Sequence, residues 1–263
     1  MEGDRYYCLS GLPTLGELGR APPLSPDQLL EHLAPCPTAR RVAEVLFLHD
    51  DLLQREGVGA GELSSVRPVV LTDEQVRGES PLPAYLSACL PERGRSQSGD
   101  AQAESSGDPA RVLPADTTWE AYFRHAADMA RTCACGFLAD WVAFEVGLRN
   151  ALVISRAKEL GLDADAYLVA VELGEPDESF TEIVDKRAAA ATPLAELETL
   201  IKVRWAWLTQ HEAWFSFSDD EFAAYAGKLM LLIQFERLVK TNEPGASAGQ
   251  DVDASKQPEE VAR

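Results

Sequence analysis

The chain has 263 residues, 46% hydrophobic and 25% charged, the balance of a globular protein with a core to bury. Its 24 Lys+Arg stand against 43 Asp+Glu, a net charge of -19 that repels phosphate backbones and argues against nucleic-acid binding. The start, "MEGDRYYCLSGLP", lacks the basic and apolar regions of a signal peptide, and no apolar run of about eighteen residues predicts a membrane span. Five cysteines, Cys8, Cys36, Cys89, Cys133 and Cys135, are odd in number and irregularly spaced, which fits free thiols in a reducing cytoplasm.

The first segment, "RYYCLSGLPTL", is short and aromatic and closes at Gly11 and Pro13, the pattern of an extended start with a turn. In "SPDQLLEHL", Ser25 as N-cap, Pro26 and Asp27 open a helix. "TARRVAEVLFLHDDLLQRE" continues helically with Val42, Val45, Leu46, Leu48, Leu52 and Leu53, and stops at "GVGAG". Residues 57–80 read as irregular connection with one short helical turn, and "SPLPAYLSACL" restarts a short helix. These pieces form an N-terminal helical region, residues 1–91.

Residues 92–115 collect Gly, Ser, Pro and charge with almost nothing to bury, and residues 242–263 share that character; both read as disordered. Between them lies the main helical domain, residues 116–241. Thr117 and Glu120 form a capping-box signature, and no breaker follows before Gly161. The expected helix is about 65 Å long, with Gly136 or Gly147 free to let it bend. A shorter helix near "DADAYLVAVEL", a variable stretch, a helix over "TPLAELETLIKVRWAWLTQ" and a last helix capped by "SDDE" complete the domain. The fold class is therefore mainly α: a helical bundle with one very long central helix, a short extended N-terminal segment, a disordered internal linker and a disordered tail.

On the long helix, Trp119, Phe123, Ala126, Ala130, Phe137, Trp141, Phe144 and Leu148 share one side. A second stripe, Val142, Val146, Val153, Ala157 and Leu160, lies roughly opposite, which makes the second half the central helix of its domain. Glu145, Arg149 and Arg156 fall between the stripes, with Glu145 four residues before Arg149 in the favourable order for an ion pair. Asn150 is expected to satisfy a backbone group of a packed neighbour. With Lys158 these residues form a polar row, read either as structural scaffolding or as a partner-binding surface.

Reactive chemistry is harder to find. Cys133 and Cys135 point about 200° apart on one helix and cannot share a metal ion. His32, His49, His125 and His211 form no spaced ligand set, and "LHDD" reads as a capped or solvated face. There is no phosphate-cradling loop, nucleophile elbow or HExxH, so no catalytic residue, metal or cofactor is nominated. The aromatics Trp205, Trp207, Trp214, Phe215 and Phe217 are core anchors or, less simply, a pocket lining that an enzyme would need.

Laid in order, "YYCLSGLPTL", "LFLHDDLLQ", "LPAYLSACL", "WEAYFRHAADMA", "FLADWVAFEVGLRNALVISRAKELGLD", "IKVRWAWLTQHEAWFSF" and "YAGKLMLLIQFERL" resemble one uncharacterised bacterial family. That family is encoded alongside V/A-type ATPase genes and is taken as the counterpart of the C-type protein of the central stalk, which is named d in eukaryotes. The spacing of Asn150, Arg156, Lys158 and Gly161 is also similar to a helix pattern of the C-type stalk proteins. The resemblance implies a non-catalytic, all-helical socket at the cytoplasmic face of the inner membrane. It would seat on the proteolipid ring and receive the shaft formed by subunits D and F. The C-type stalk protein is usually longer, built from three similar helical units. A cytosolic adaptor or assembly factor for the same complex is the alternative reading, and an enzyme of unknown type using the aromatic residues from Trp205 to Phe217 is a more distant one.

Overall fold

A computed structural model describes residues 2–87, 114–174, 179–213 and 215–242. The predicted linker up to residue 113, the tail from residue 243, Cys89 and Trp214 lie outside the described residues. Among the described residues the fold is helical, with no strand: α1 Glu2–Ser10, α2 Pro26–His32, α3 Pro37–Gly59, α4 Asp73–Arg77, α5 Ala84–Ser87, α6 Pro114–Cys133, α7 Gly136–Leu160, α8 Ser179–Ala188, α9 Pro193–His211 and α10 Asp219–Asn242.

Local chemistry sets several boundaries. Ser25 and Thr72 each close a reciprocal capping box with the glutamine three residues on, Gln28 and Gln75, and so start α2 and α4. Thr192 caps α9 by accepting the Ala195 N–H, with Pro193 in the first turn. Gly161 ends α7 at φ 68°, the left-handed cap the sequence predicts. Pro114 and Ala115, expected in the linker, already belong to α6, so Thr117 lies inside that helix and not at its cap.

The expected extended N-terminus is instead the helix α1. A strand there would have no sheet to satisfy its backbone, whereas a helix pairs its own N–H and C=O groups. Its Cys8 is buried, Arg5 reaches Asp219 of α10 at 2.6 Å, and Tyr6 lies against Phe217 with ring centroids 5.5 Å apart. The expected helix near residues 164–173 is two short 3-10 turns, Ala164–Tyr167 and Val171–Leu173, and the stretch read as variable holds α8.

The single rod predicted across 117–161 is divided. Ala134 takes φ 50°, and the Cys135 N–H reaches back to the Ala130 carbonyl at 3.0 Å, a Schellman-type stop made with alanine. After the corner, Asp220 of α10 accepts the Phe137 N–H at 2.9 Å and so satisfies a donor in the first turn of α7. The chain then doubles back: Arg149, late in α7, meets Asp116, early in α6, at 3.2 Å. Helices α6 and α7 are thus an antiparallel hairpin.

The core joins both sides of the predicted linker. Helix α3 packs along α10 and against α6, while α10 also meets α9 and α7. Leu46, Phe47 and Leu48 of α3, Trp119 and Phe123 of α6, Trp141 and Leu148 of α7, and Leu229 and Leu231 of α10 are all buried in one continuous cluster. At roughly 1.5–3 kcal/mol per fully buried large side chain, this burial is the main driving force for the fold. Helix α7 is central only in its first half. Beyond Asn150 only Ala157 is buried, and Ile154, Arg156, Lys158, Glu159 and Leu160 are exposed. The second stripe was too thin to bury: past Val146 it consists of Val153, Ala157 and a bare Leu160.

Candidate functional site

Two features stand out as places where polar groups collect: a buried seam around α3 and the exposed outer turns of α7. The seam begins with "LHDD", which is not a solvated face. His49, Asp50, Asp51 and Gln54 are all buried, because α3 is covered on every side by α10, α6, α4 and α2. A buried polar group without a partner is costly, so each carboxylate must be matched.

Asp51 accepts three backbone N–H groups, from Val69 at 2.9 Å, Val70 at 2.7 Å and Leu71 at 2.8 Å. It thereby ties the irregular segment before α4 onto α3. Burial pushes its carboxyl up, the three backbone bonds pull it down, and the balance leaves it at about 6. It is consequently ionised at neutral pH, the acceptor-only form that three N–H donors need. Asp50 instead looks toward α10, accepting Gln234 Nε2 at 2.9 Å and Arg237 at 2.8 Å, and also the Gln54 amide at 2.9 Å. Gln54 completes the set by accepting the Arg67 N–H at 2.8 Å.

Glu145 of α7 stands on the other side of His49. The predicted Glu145–Arg149 pair does not form. Arg204 of α9 grips Glu145 with two bonds, Nε to Oε1 at 2.6 Å and the second nitrogen to Oε2 at 2.9 Å, while His49 Nε2 lies 3.4 Å away. Burial alone would raise the Glu145 carboxyl, but the Arg204 guanidinium and His49 outweigh it and hold it at about 2. The helical i,i+4 pair loses here because Glu145 points into the core, where a bidentate guanidinium is the stronger partner. The His49 ring is enclosed by Trp119, Tyr122 and Trp141, and its Nδ1 has no hydrogen-bond partner among the described residues.

Arg149 goes elsewhere. Besides Asp116 it lies 3.7 Å from Glu56 and stacks over Trp119 at 4.9 Å from the ring centroid, binding the end of α3 to the α6–α7 hairpin. Asn150 holds the backbone of Val169 from both ends, donating to its carbonyl at 2.9 Å and accepting its N–H at 3.1 Å. Arg156 and Lys158 make no ion pair among the described residues and face solvent. The predicted row thus divides: Glu145, Arg149 and Asn150 each meet a different element, and the two cations beyond them stand apart.

The described members of the aromatic group do not line one pocket. Trp207 lies against Phe137, Trp141 and Phe144 as part of the core ladder, Trp205 covers Lys228, and Phe215 and Phe217 are exposed. A groove of about 590 Å³ beside α2 and α3 is lined by Asp27, Glu31, Arg40, Glu44, Val69 and Val70 among others. Its Arg40 is engaged by Glu44 at 3.0 Å. Among the described residues no group of three His, Cys, Asp or Glu side chains is placed to hold a metal ion. None of the helices described is long and apolar enough to cross a membrane.

Sequence reasoning missed the seam, although one signal was present. Val42, Val45, Leu46, Leu48, Leu52 and Leu53 cover about half of the circumference of α3, and Ala43 and Phe47 lie roughly opposite Leu52 and Val45; a helix apolar all round is buried, along with the polar residues between. Comparison with protein-family models, with curated proteins and with solved structures found no match.

Proposed function

We propose that this chain is a non-catalytic part of a V/A-type ATPase, similar in role to the C-type stalk protein, that couples the shaft of subunits D and F to the proteolipid ring. It would work at the cytoplasmic face of the inner membrane. The observation that carries the reading is the contrast along α7. Its root is locked by the Glu145–Arg204 pair and the Asn150 clamp, while its outer turns present Ile154, Leu160, Arg156 and Lys158 to solvent. A rigid base whose end exposes apolar and cationic side chains suits a part that transmits force through contacts. The acidic groups of the core are matched by cations or backbone donors, which suits scaffolding more than acid–base work. The ordered segments that resemble the ATPase-linked family add to the same reading.

An adaptor or assembly factor for the same complex would use the same surface and would be absent from the finished assembly. Affinity purification from native membranes separates the two: a resident component is recovered in fixed ratio with D, F and the ring, whereas an assembly factor is not. Deleting the gene should abolish ATP-driven ion pumping and spare ATP hydrolysis by the detached head. Normal assembly and pumping without it would overturn the proposal.

A further inference from the structure

The sulfur atoms of Cys8 and Cys36 lie 3.4 Å apart, both buried, although 28 residues separate them in sequence. Cys8 is on α1 and Cys36 is the residue that precedes α3. The Cys8 thiol also faces the His32 carbonyl at 3.7 Å, and the His32 ring donates to the Cys8 carbonyl at 2.7 Å, so the last turn of α1 sits squarely on the α2–α3 junction. A disulfide has its sulfurs about 2.05 Å apart. Closing the pair therefore asks for a movement of about 1.4 Å, within reach of small χ1 changes and a slight settling of α1.

We propose that Cys8 and Cys36 form an oxidisable dithiol that a hydroperoxide converts into an intramolecular disulfide, locking α1 to the body. The thiolate of one cysteine attacks the peroxide oxygen, the O–O bond breaks, and the cysteine becomes a sulfenic acid as the peroxide is reduced to water or an alcohol. The second thiol then attacks that sulfur, the S–O bond breaks and water leaves. Two thiols have lost two electrons and two protons, and the peroxide has accepted them. Burial makes access the controlling step, so oxidation proceeds when α1 lifts from its two side-chain anchors at the α10 end, the Arg5–Asp219 ion pair and the Tyr6–Phe217 contact. Cys133 and Cys135 are buried too, and burial pushes both thiols up, Cys135 far up, which keeps them protonated and slow. This inference stands on the thiol geometry and is independent of the ATPase reading.

The test treats the full chain, fully reduced, with hydrogen peroxide, blocks remaining thiols with N-ethylmaleimide and maps the peptides by mass spectrometry. The expected first product is a monomer with Cys8 joined to Cys36, two hydrogen atoms lighter than the reduced chain before alkylation, in which Cys133 and Cys135 are then alkylated. Amide exchange in α1 should slow at least tenfold in that product and recover with dithiothreitol. Cys8→Ala and Cys36→Ser should each abolish the cross-link, and Arg5→Ala, by loosening α1, should speed its formation severalfold. First oxidation at Cys133 or Cys135, a bond to Cys89 or between two chains, or a Cys8–Cys36 bond that forms only in urea would each overturn the proposal. So would survival of both thiols in the folded chain.

Discussion

Arg204 of α9 and Glu145 of α7 form a bidentate ion pair, with bonds of 2.6 and 2.9 Å, inside the core between residues 59 apart in sequence. It ties α9 to α7, and it places a negative charge beside His49 of α3. Removing one partner leaves the other charged and buried. Glu145→Gln should therefore lower unfolding free energy by about 3–5 kcal/mol in urea melts, while replacing both, Glu145→Leu with Arg204→Met, should cost far less than the sum of the single changes.

The same carboxyl sets an acid limit. Its folded value, about 2, is below the ordinary carboxylate value, so its contribution to stability is complete above that ordinary value and is lost as pH falls through about 2. A pH series of melts should show this acid loss in the native protein and not in the Glu145→Leu, Arg204→Met variant. An unchanged acid slope in the variant would contradict the assignment.

Asp51 gives the opposite sign. Its carboxyl, held at about 6, is above the value in an unfolded chain, so the folded state binds the extra proton. Its contribution therefore declines as pH rises through the interval from the ordinary carboxylate value to about 6, and it does so by roughly 3 kcal/mol. The stability difference between native protein and Asp51→Asn should shrink over that interval. At every pH the variant should be the weaker, since its amide keeps one accepting oxygen for the N–H groups of residues 69–71 and turns an NH2, which cannot accept, toward the rest.

What the sequence revealed was what short-range chemistry decides. The Ser25 and Pro26 start of α2, the start of the helix over "TPLAELETLIKVRWAWLTQ" and the Gly161 stop of α7 each need only neighbouring residues, and each is visible in the string. The corner at Ala134 is different. An alanine in the left-handed region carries no signal, and its companion donor is met by Asp220, 83 residues from Phe137. The partners of Glu145 and Asp50 are likewise remote, Arg204 on α9 and Arg237 on α10, so the sequence showed candidate charges without their pairing. Asn150 was legible as an amide owed a backbone partner; that the partner is Val169 depended on where the 3-10 turns fall.

The corner yields its own prediction. A left-handed conformation costs alanine about 1–2 kcal/mol relative to a right-handed one, a strain that glycine does not carry. Ala134→Gly should accordingly raise stability by about 0.5–1 kcal/mol, the larger flexibility of glycine in the unfolded chain offsetting part of the gain. Ala134→Val should do the reverse and raise the unfolding rate in stopped-flow traces. A destabilised glycine variant would argue against the corner.

The most direct test of the account is pull-down of the ATPase from native membranes with the double variant Arg156→Ala, Lys158→Ala. Both side chains are exposed and without an ion pair among the described residues, so the isolated variant should melt as the native protein does. In the assay the native chain should bring down subunits D and F and the ring, and the variant at least tenfold less. If the variant recovers the complex as well as the native chain, or the native chain recovers none of it, the outer end of α7 is not the coupling surface.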